Sequence, residues 1–330
     1  MIDITKTAVV SVRQVLEPAF SDEPIKPPTY PDDDGVGKYV IYDNNGVKDV
    51  VLDTHQSQAN RVEPGFNNSG LIPDSTVKVR EETKNLTEVG HRLADAVVRF
   101  SNQAPIVEAA LLAFTKGDAV PVAKLAPTSL LFGLWDSRKT HTKITRIFSS
   151  EIRAHNIVEV PHSGQFVSSV PRLENQVTKD LSSEGMLDCP YSGLGGVIVK
   201  GEITRTVRLN VRGIRKFKTK ELRDYVLGLG LFALTYPVNL DLREGCNLVA
   251  TKTTVSAFNE DGTRSEIALT HADAVEFATK AAKAFGVGEA LEFIFDTNVA
   301  NISAAGKAEA KEATAQAKKS GKPKATEAVA

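Results

Sequence analysis

The feature that most constrains this chain is a pair of alternating stretches set among helical ones. Over residues 202–212, Val207, Leu209 and Val211 point one way, while Thr204, Thr206, Arg208, Asn210 and Arg212 point the other. Over 144–158, Phe148, Ile152, Ala154 and Val158 share one parity against Ser149, Glu151, Arg153 and His155. Such strands have one apolar and one polar face, as in antiparallel sheets covered on one side only. Residues 47–53 read as a further, buried strand and Ala290–Phe295 as a last one. Helical spacing runs over Thr87–Ser101 from a Thr87 cap, over Pro105–Lys116, and over Lys220–Tyr236 with Leu222, Tyr225, Val226, Leu229 and Phe232 apolar. Thr270 and Asp273 make a capping-box start for a helix ending near Gly286. Strands and helices alternate irregularly, so the fold class is α+β with a mostly antiparallel sheet.

Length and composition bound the rest. The 330 residues allow one large or two modest domains. With 42% hydrophobic and 25% charged residues, the chain can build a core without staples. Two cysteines, Cys189 and Cys246, are too few for a disulfide framework or a structural zinc site. No signal peptide and no long apolar run are visible, so a soluble cytoplasmic protein with no membrane partner is expected. From Ser303 to Ala330 there are ten Ala, six Lys and three Glu, and the only large aliphatic or aromatic residue is Val329. That segment cannot bury enough apolar surface to offset its ordering entropy and is expected to be a disordered, solvated tail. The domain proper is then expected to span residues 1–302.

Net charge is -1, which excludes a uniformly polycationic coat. The distribution is uneven. Residues 1–63 hold six Lys/Arg against eleven Asp/Glu, and residues 200–223 hold nine against two. A local basic field on a neutral protein speaks of partners rather than fold.

Constellations for catalysis are weak. The six histidines are scattered, with no pair at zinc-protease spacing. No Gly-x-Ser-x-Gly elbow precedes a helix. No metal site and no cofactor are expected. Ser192–Gly196 lacks the Lys and Ser/Thr of a phosphate-cradling loop; it reads either as a tight turn before a strand at 197–200 or as a close backbone approach to an RNA phosphate. Asp32–Asp34 follow a Pro-rich stretch. Consecutive acids there are usually solvated, but paired carboxylates can also hold Mg²⁺ or act as bases. Two basic elements stand out. Trp135, Arg138, Lys139, His141, Lys143, Arg146 and Arg153 surround one strand, and Arg208, Arg212 and Arg215 mark another. A sheet with cationic and amide side chains on its open face suits RNA.

Some segments are family-like. Gln56-Ser-Gln-Ala-Asn-Arg-Val-Glu63, after the apolar strand, resembles the Gln-Ser-x-x-Asn-Arg-x-Glu signature of CRISPR effector backbone subunits. The branch it resembles is the Cas-seven-type protein of the type I-G (formerly I-U) effector, or Cascade, complex, in the RAMP superfamily. Pro28-Thr-Tyr-Pro31, His91-Arg-Leu-Ala94 and Ser129-Leu-Leu-Phe-Gly-Leu-Trp-Asp-Ser-Arg138 look like segments of the same family, in the same order. The resemblance spans residues 8–300.

It implies a modified RRM-like (ferredoxin-like) core, a palm, with inserted thumb and finger segments. Copies would stack head to tail along CRISPR RNA in a helical filament beside other effector subunits. They would present the guide to target DNA for pairing in antiviral defence, with no catalysis of their own. By position, Gln58, Asn60 and Arg61 fall in the signature; Arg61 would pair with phosphate or with a neighbouring carboxylate, and Asn60 would donate to RNA or cap a helix. Arg92, Arg138, Lys143, Arg146, Arg153, Arg208 and Arg212 complete the expected RNA-contacting set. The thumb is placed at 156–190, with a turn at His162–Gln165; residues 65–84 are its alternative, or a finger. Two enzymatic alternatives are a metal-dependent RNase using the acidic run, as in type III relatives, and a CRISPR RNA-processing protein.

Overall fold

The computed structural model describes residues 2–20, 23–31, 37–166 and 189–301, without the side chains of 162–166 and 189–192. The acidic run Asp32–Asp34, the tail from 303 and much of the 156–190 segment lie outside the described residues. The chain divides into two compact units. The first comprises residues up to Phe66 together with Arg146–Phe285; the second comprises Asn67–Thr145 and the residues from Gly286 onward.

The elements of the first unit, in chain order, are β1 (Thr7–Pro18), β2 (Ile41–Asn44), β3 (Val47–Asp53), α1 (His55–Val62), β4 (Phe148–Ala154), β5 (Ile157–Phe166), β6 (Cys189–Val199), β7 (Ile203–Asn210), α2 (Lys220–Thr235), β8 (Asp241–Arg243), β9 (Cys246–Asn259), β10 (Arg264–Glu266) and α3 (His271–Phe285). The main sheet has eight strands in the order β8-β9-β1-β7-β4-β3-β2, with β10 beside β9. All its pairings are antiparallel, so the expected α+β class with an antiparallel sheet is what the chain forms. The strand 47–53 and the alternation at 148–154 and 203–210 are also where the sequence puts them.

The faces follow the pleat. Val10, Val12 and Leu16 of β1, Phe148 and Ile152 of β4, and Val207 and Leu209 of β7 are all buried. Two helices cover that face. Thr219 caps α2 by accepting from Leu222 N at 3.2 Å. From Tyr225 to Leu234 every residue of α2 is buried, because the helix has the sheet on one side and α3 on the other. The second contact needs glycine: a Cβ on Gly228 would lie 2.8 Å from Ala278 Cα. α3 answers with Ala274, Ala278, Ala281 and Ala282 on its buried side. The predicted capping box is present. Thr270 Oγ1 accepts from Asp273 N at 3.1 Å, and Thr270 N donates to Asp273 Oδ2 at 2.9 Å. The helix stops at Gly286, whose φ is +72°.

β5 and β6 form a separate two-stranded ribbon. Here two expectations are corrected. The turn expected at His162–Gln165 is continuous strand, paired with Gly193 to Pro190. The glycine-rich stretch is not a turn before a strand but lies inside β6. Gly195 sits against the carbonyls of Val160 and Pro161, beside the register shift at 159–161, and a Cβ there would lie 2.7 Å from each. Gly196 (φ +113°) would meet Ile25 O at 2.7 Å. The close backbone approach that glycine permits is thus to the chain's own carbonyls.

In the second unit, the hairpin Thr76–Val79 and Glu82–Asn85 carries Glu292–Ile294 as a parallel third strand. Ala104–Thr115 is helical as expected. The single helix expected over Thr87–Ser101 is not formed. Two 3-10 turns (Leu86–Glu88 and Arg92–Ala94) and one helical turn (Ala96–Arg99) replace it. Arg92 has φ +52°, which no helix continues through, and Asp95 starts afresh by accepting from Val97 N. The first cap is Asn85, not Thr87. No helix among the described residues is long and apolar enough to cross a membrane.

Candidate nucleic-acid interface

The signature octapeptide builds α1 and anchors it to the sheet. Thr54 caps the helix by accepting from Ser57 N at 3.3 Å. Gln58, Ala59 and Val62 form the buried side. Gln58 Nε2 donates to Asp53 Oδ2 at 2.6 Å, and its Oε1 accepts from Ser150 Oγ at 2.7 Å and from Arg205 Nε at 2.8 Å. Arg61 Nε reaches the same Asp53 oxygen at 3.0 Å, and its Nη2 donates to Leu242 O at 3.1 Å. Arg243 Nη2 stands 3.9 Å from Asp53 Oδ1. Of the two partners proposed for Arg61, the structure has the carboxylate. Gln58 is 0% exposed, so it holds the helix to β3, β4 and β7 and offers no surface. Asn60 is exposed and mid-helix, not a cap; its Oδ1 accepts from Gln56 Nε2 at 3.0 Å.

The other face of the sheet is polar. Register aligns Ser11, Arg208 and Ser149 in one row across β1, β7 and β4. The next rows are Arg13, Thr206 and Glu151, then Val15, Thr204 and Arg153. Rows two residues apart are spaced about 7 Å. Arg208, Arg13 and Arg153 therefore stand one per strand and one per row, with Arg208 on the central strand of the three.

Each arginine has its own surroundings. Arg13 Nη2 donates to Glu202 Oε2 at 2.5 Å. Arg153 bonds Glu151 and lies 4.7 Å from the Tyr42 ring centroid. The Arg208 side chain is exposed and makes no ion pair or hydrogen bond among the described residues. At one end of this face His155 bridges Asp49 Oδ2 (2.9 Å) and Thr204 Oγ1 (3.0 Å). Burial pushes the Asp49 carboxyl up, but the His155 ring and Asn156 N–H outweigh it and hold it below its usual value.

Arg212 does not share this face. The strand ends at Asn210, whose side chain accepts from Gly213 N and starts a helical turn, Val211–Ile214. Arg212 and Arg215 instead clamp Glu260, at 2.6 Å each, and together they push its carboxyl down to about 2. Arg146 is exposed just before β4.

The remaining candidates belong to the second unit. Arg92 is 5% exposed, donates to Gly133 O at 3.1 Å and lies 5.2 Å from the Phe132 ring centroid. It is a packing cation rather than a surface one. Asp136 is buried and accepts from the backbone N–H of Arg138, Lys139 and Thr140 and from Thr140 Oγ1. That tight turn joins the ribbon strands Leu134–Trp135 and Lys143–Ile144, where Trp135 pairs with Lys143. Trp135 is 68% exposed; Arg138 and Lys143 are exposed too.

Sequence reasoning placed Ser149 and Thr206 on the polar faces of their strands, but it missed Arg13 on the open face and Asp53, Arg205 and Arg243 beneath it. Arg205 was readable: it shares its parity with Val207 and Leu209 and is buried like them. Among the described residues no three His, Cys, Asp or Glu converge as metal ligands would.

Residues 10–159 match the family model described as CRISPR-associated protein GSU0053. That match, which includes the octapeptide, bears out the resemblance to a CRISPR-associated family. No curated protein matches the chain. Among solved structures, a chain of a "CRISPR RNA-guided surveillance complex, pre-nicking" is similar at 15% identity and TM-score 0.39, covering 75% of each chain. A chain of a "CRISPR RNA-guided surveillance complex" is similar at 11% identity and TM-score 0.32, covering 91% of this chain and 99% of that one. Both TM-scores are low, and the architecture stands on its own sheet order.

Proposed function

We propose that this chain, CRISPR-associated by its match over residues 10–159, is a non-catalytic backbone subunit that coats CRISPR RNA and presents it to target DNA. The observation that carries the reading is the open sheet face, with Arg208, Arg13 and Arg153 on three adjacent strands among Ser and Thr hydroxyls. Phosphates are met by cations and hydroxyls without reference to sequence, which is what a subunit serving any guide requires. Arg13 and Arg153 rest on carboxylates that an RNA phosphate can displace; Arg208 has none to lose. Arg138, Lys143 and the exposed Trp135 are proposed as a second contact, with cations for the backbone and an aromatic face for a base.

The sheet supports an RRM-like palm. The strands β1, β4, β7 and β9, with α1 and α2 in the two crossovers, stand in the order β9-β1-β7-β4. That is the β-α-β-β-α-β ferredoxin-like arrangement. Residues 67–145 are then an insertion in the domain expected over 1–302. The β5–β6 ribbon is the proposed base of the thumb. Head-to-tail stacking, the type I-G assignment and a cytoplasmic location belong to the same proposal.

The test is guide binding by the full chain at several salt concentrations, using two unrelated spacers. Log affinity against log salt slopes by about -0.7 per neutralised phosphate on a single strand. Arg208→Ala should flatten that slope by roughly one such increment, equally for both spacers. An unchanged slope, with the fold intact by circular dichroism, refutes the role of this face. A loss confined to one spacer means that the protein reads bases.

A further inference from the structure

On the helix-covered face of the sheet lies a cavity of about 390 Å³, bounded by β1, β7, β9, the end of α2 and the start of α3. We propose that it is a binding site for a small organic anion, whose phosphate or carboxylate oxygen is taken by Arg205 while its apolar body lies against the cavity wall. This inference is independent of the RNA-binding reading.

The argument begins with the guanidinium. Arg205 is 2% exposed, and all its hydrogen bonds go to neutral amide oxygens: Nε to Gln58 Oε1 at 2.8 Å and Nη1 to Gln14 Oε1 at 2.9 Å. Its Nη2 is buried with no hydrogen-bond partner. Asp53, the carboxylate that influences it, is already engaged by Gln58 and Arg61. A buried cation satisfied only by amides, with a donor left over, is an arrangement that a chain does not keep for stability. Burial lowers the Arg205 pKa to about 10, so it is still a cation at neutral pH.

The cavity supplies what an anion's body needs. Val12, Leu234 and Leu240 give an apolar wall. Tyr236 and His271 stand edge to face, 6.0 Å between centroids, and His271 Nδ1 is tied to Thr235 Oγ1 at 3.0 Å. At the Arg205 end, Gln14 is braced by its own Nε2 donating to Thr253 Oγ1 at 3.2 Å. A few fixed polar groups at one end of a mostly apolar cleft are the usual anatomy of a small-molecule site, and 390 Å³ falls in its size range. An inorganic anion alone would leave most of the space unfilled.

The experiment is titration of the full, RNA-free chain by calorimetry with phenyl phosphate, benzoate, inorganic phosphate and the neutral benzyl alcohol. Phenyl phosphate or benzoate should bind at least about tenfold more tightly than inorganic phosphate, because only they bury a ring against the apolar wall, and benzyl alcohol, which lacks the charge-assisted contact, should not bind measurably. Arg205→Met should abolish binding. Ala250→Trp, an exposed position on the cavity rim that leaves the buried network intact, should also abolish it and keeps the test valid if Arg205→Met fails to fold. Absence of binding by all three anions overturns the proposal, as does equal binding by wild type and Ala250→Trp. Displacement of phenyl phosphate by a single-stranded oligoribonucleotide would give the site to an RNA phosphate and overturn the small-molecule assignment.

Discussion

Asp53→Ala tests whether the octapeptide serves the fold. The Asp53 carboxylate is 2% exposed and engages Gln58 at 2.6 Å and Arg61 at 3.0 Å, with Arg243 at 3.9 Å. Removing it leaves Arg205 buried with no carboxylate in reach and leaves Gln58 Nε2 without an acceptor. Breaking a buried pair by deleting one partner costs about 3–5 kcal/mol. Arg61 and Arg243 keep 24% and 26% of their side-chain surface in water, which favours the lower end. The expectation is about 3 kcal/mol, or roughly a 6–12 °C fall in the melting temperature of the unit containing the sheet. The assay is urea and thermal unfolding of wild type, Asp53→Ala, Arg61→Ala and the double variant. The two single losses should be strongly non-additive, because they remove the same contact. A loss below about 0.5 kcal/mol for Asp53→Ala, the level of an ordinary surface change, refutes the reasoning.

Gly228→Ala gains up to about 1 kcal/mol of helix propensity but drives a methyl to 2.8 Å from an α3 backbone atom, so chemical denaturation should show a net loss of about 1–2 kcal/mol. Burial pushes the Asp136 carboxyl up, but donors from Thr140, Arg138 and Lys139 outweigh it and hold it below 3.8. Its contribution is therefore complete above the unfolded value and lost as pH falls through the lower folded one. The stability gap between wild type and Asp136→Asn should be flat above about pH 5 and close below 3.8, as unfolding curves across that range would show. Burial pushes the Cys246 thiol up to about 11. In a Cys189→Ser background, a thiol reagent at pH 8 should label the denatured chain and leave the native one unlabelled for hours.

Much of the fold is legible because periodicity and burial agree. The strands at 47–53, 148–154 and 203–210 and the helix capped by Thr270 follow from alternation or from a cap whose hydrogen bonds are local. Legibility fails where one residue changes the backbone. Arg92 at φ +52° breaks a run whose apolar spacing looks helical. Asn210 ends a strand by capping the next turn and so takes Arg212 off the face. The glycine-rich stretch misleads because what its glycines face, the carbonyls of Val160, Pro161 and Ile25, is far away in sequence. The site divides in the same way. Residue type alone puts Gln58, Arg92 and Arg208 in one class. Burial separates the first two, which bond inward, from the third, which faces solvent.

The position of β1 has a consequence for how the chain is made. The strand is synthesised well before both of its neighbours in the sheet, β7 and β9, whose residues begin at 203 and 246. At about 5–20 residues per second, roughly ten to fifty seconds separate its emergence from that of its second partner. Until β7 follows at residue 203, which is most of that interval, Val10, Val12 and Leu16 have no partner strand. Ribosome-bound intermediates should therefore be sticky and protease-sensitive over Thr7–Pro18 until its partner strands have left the exit tunnel, and chaperone occupancy should be concentrated on that segment.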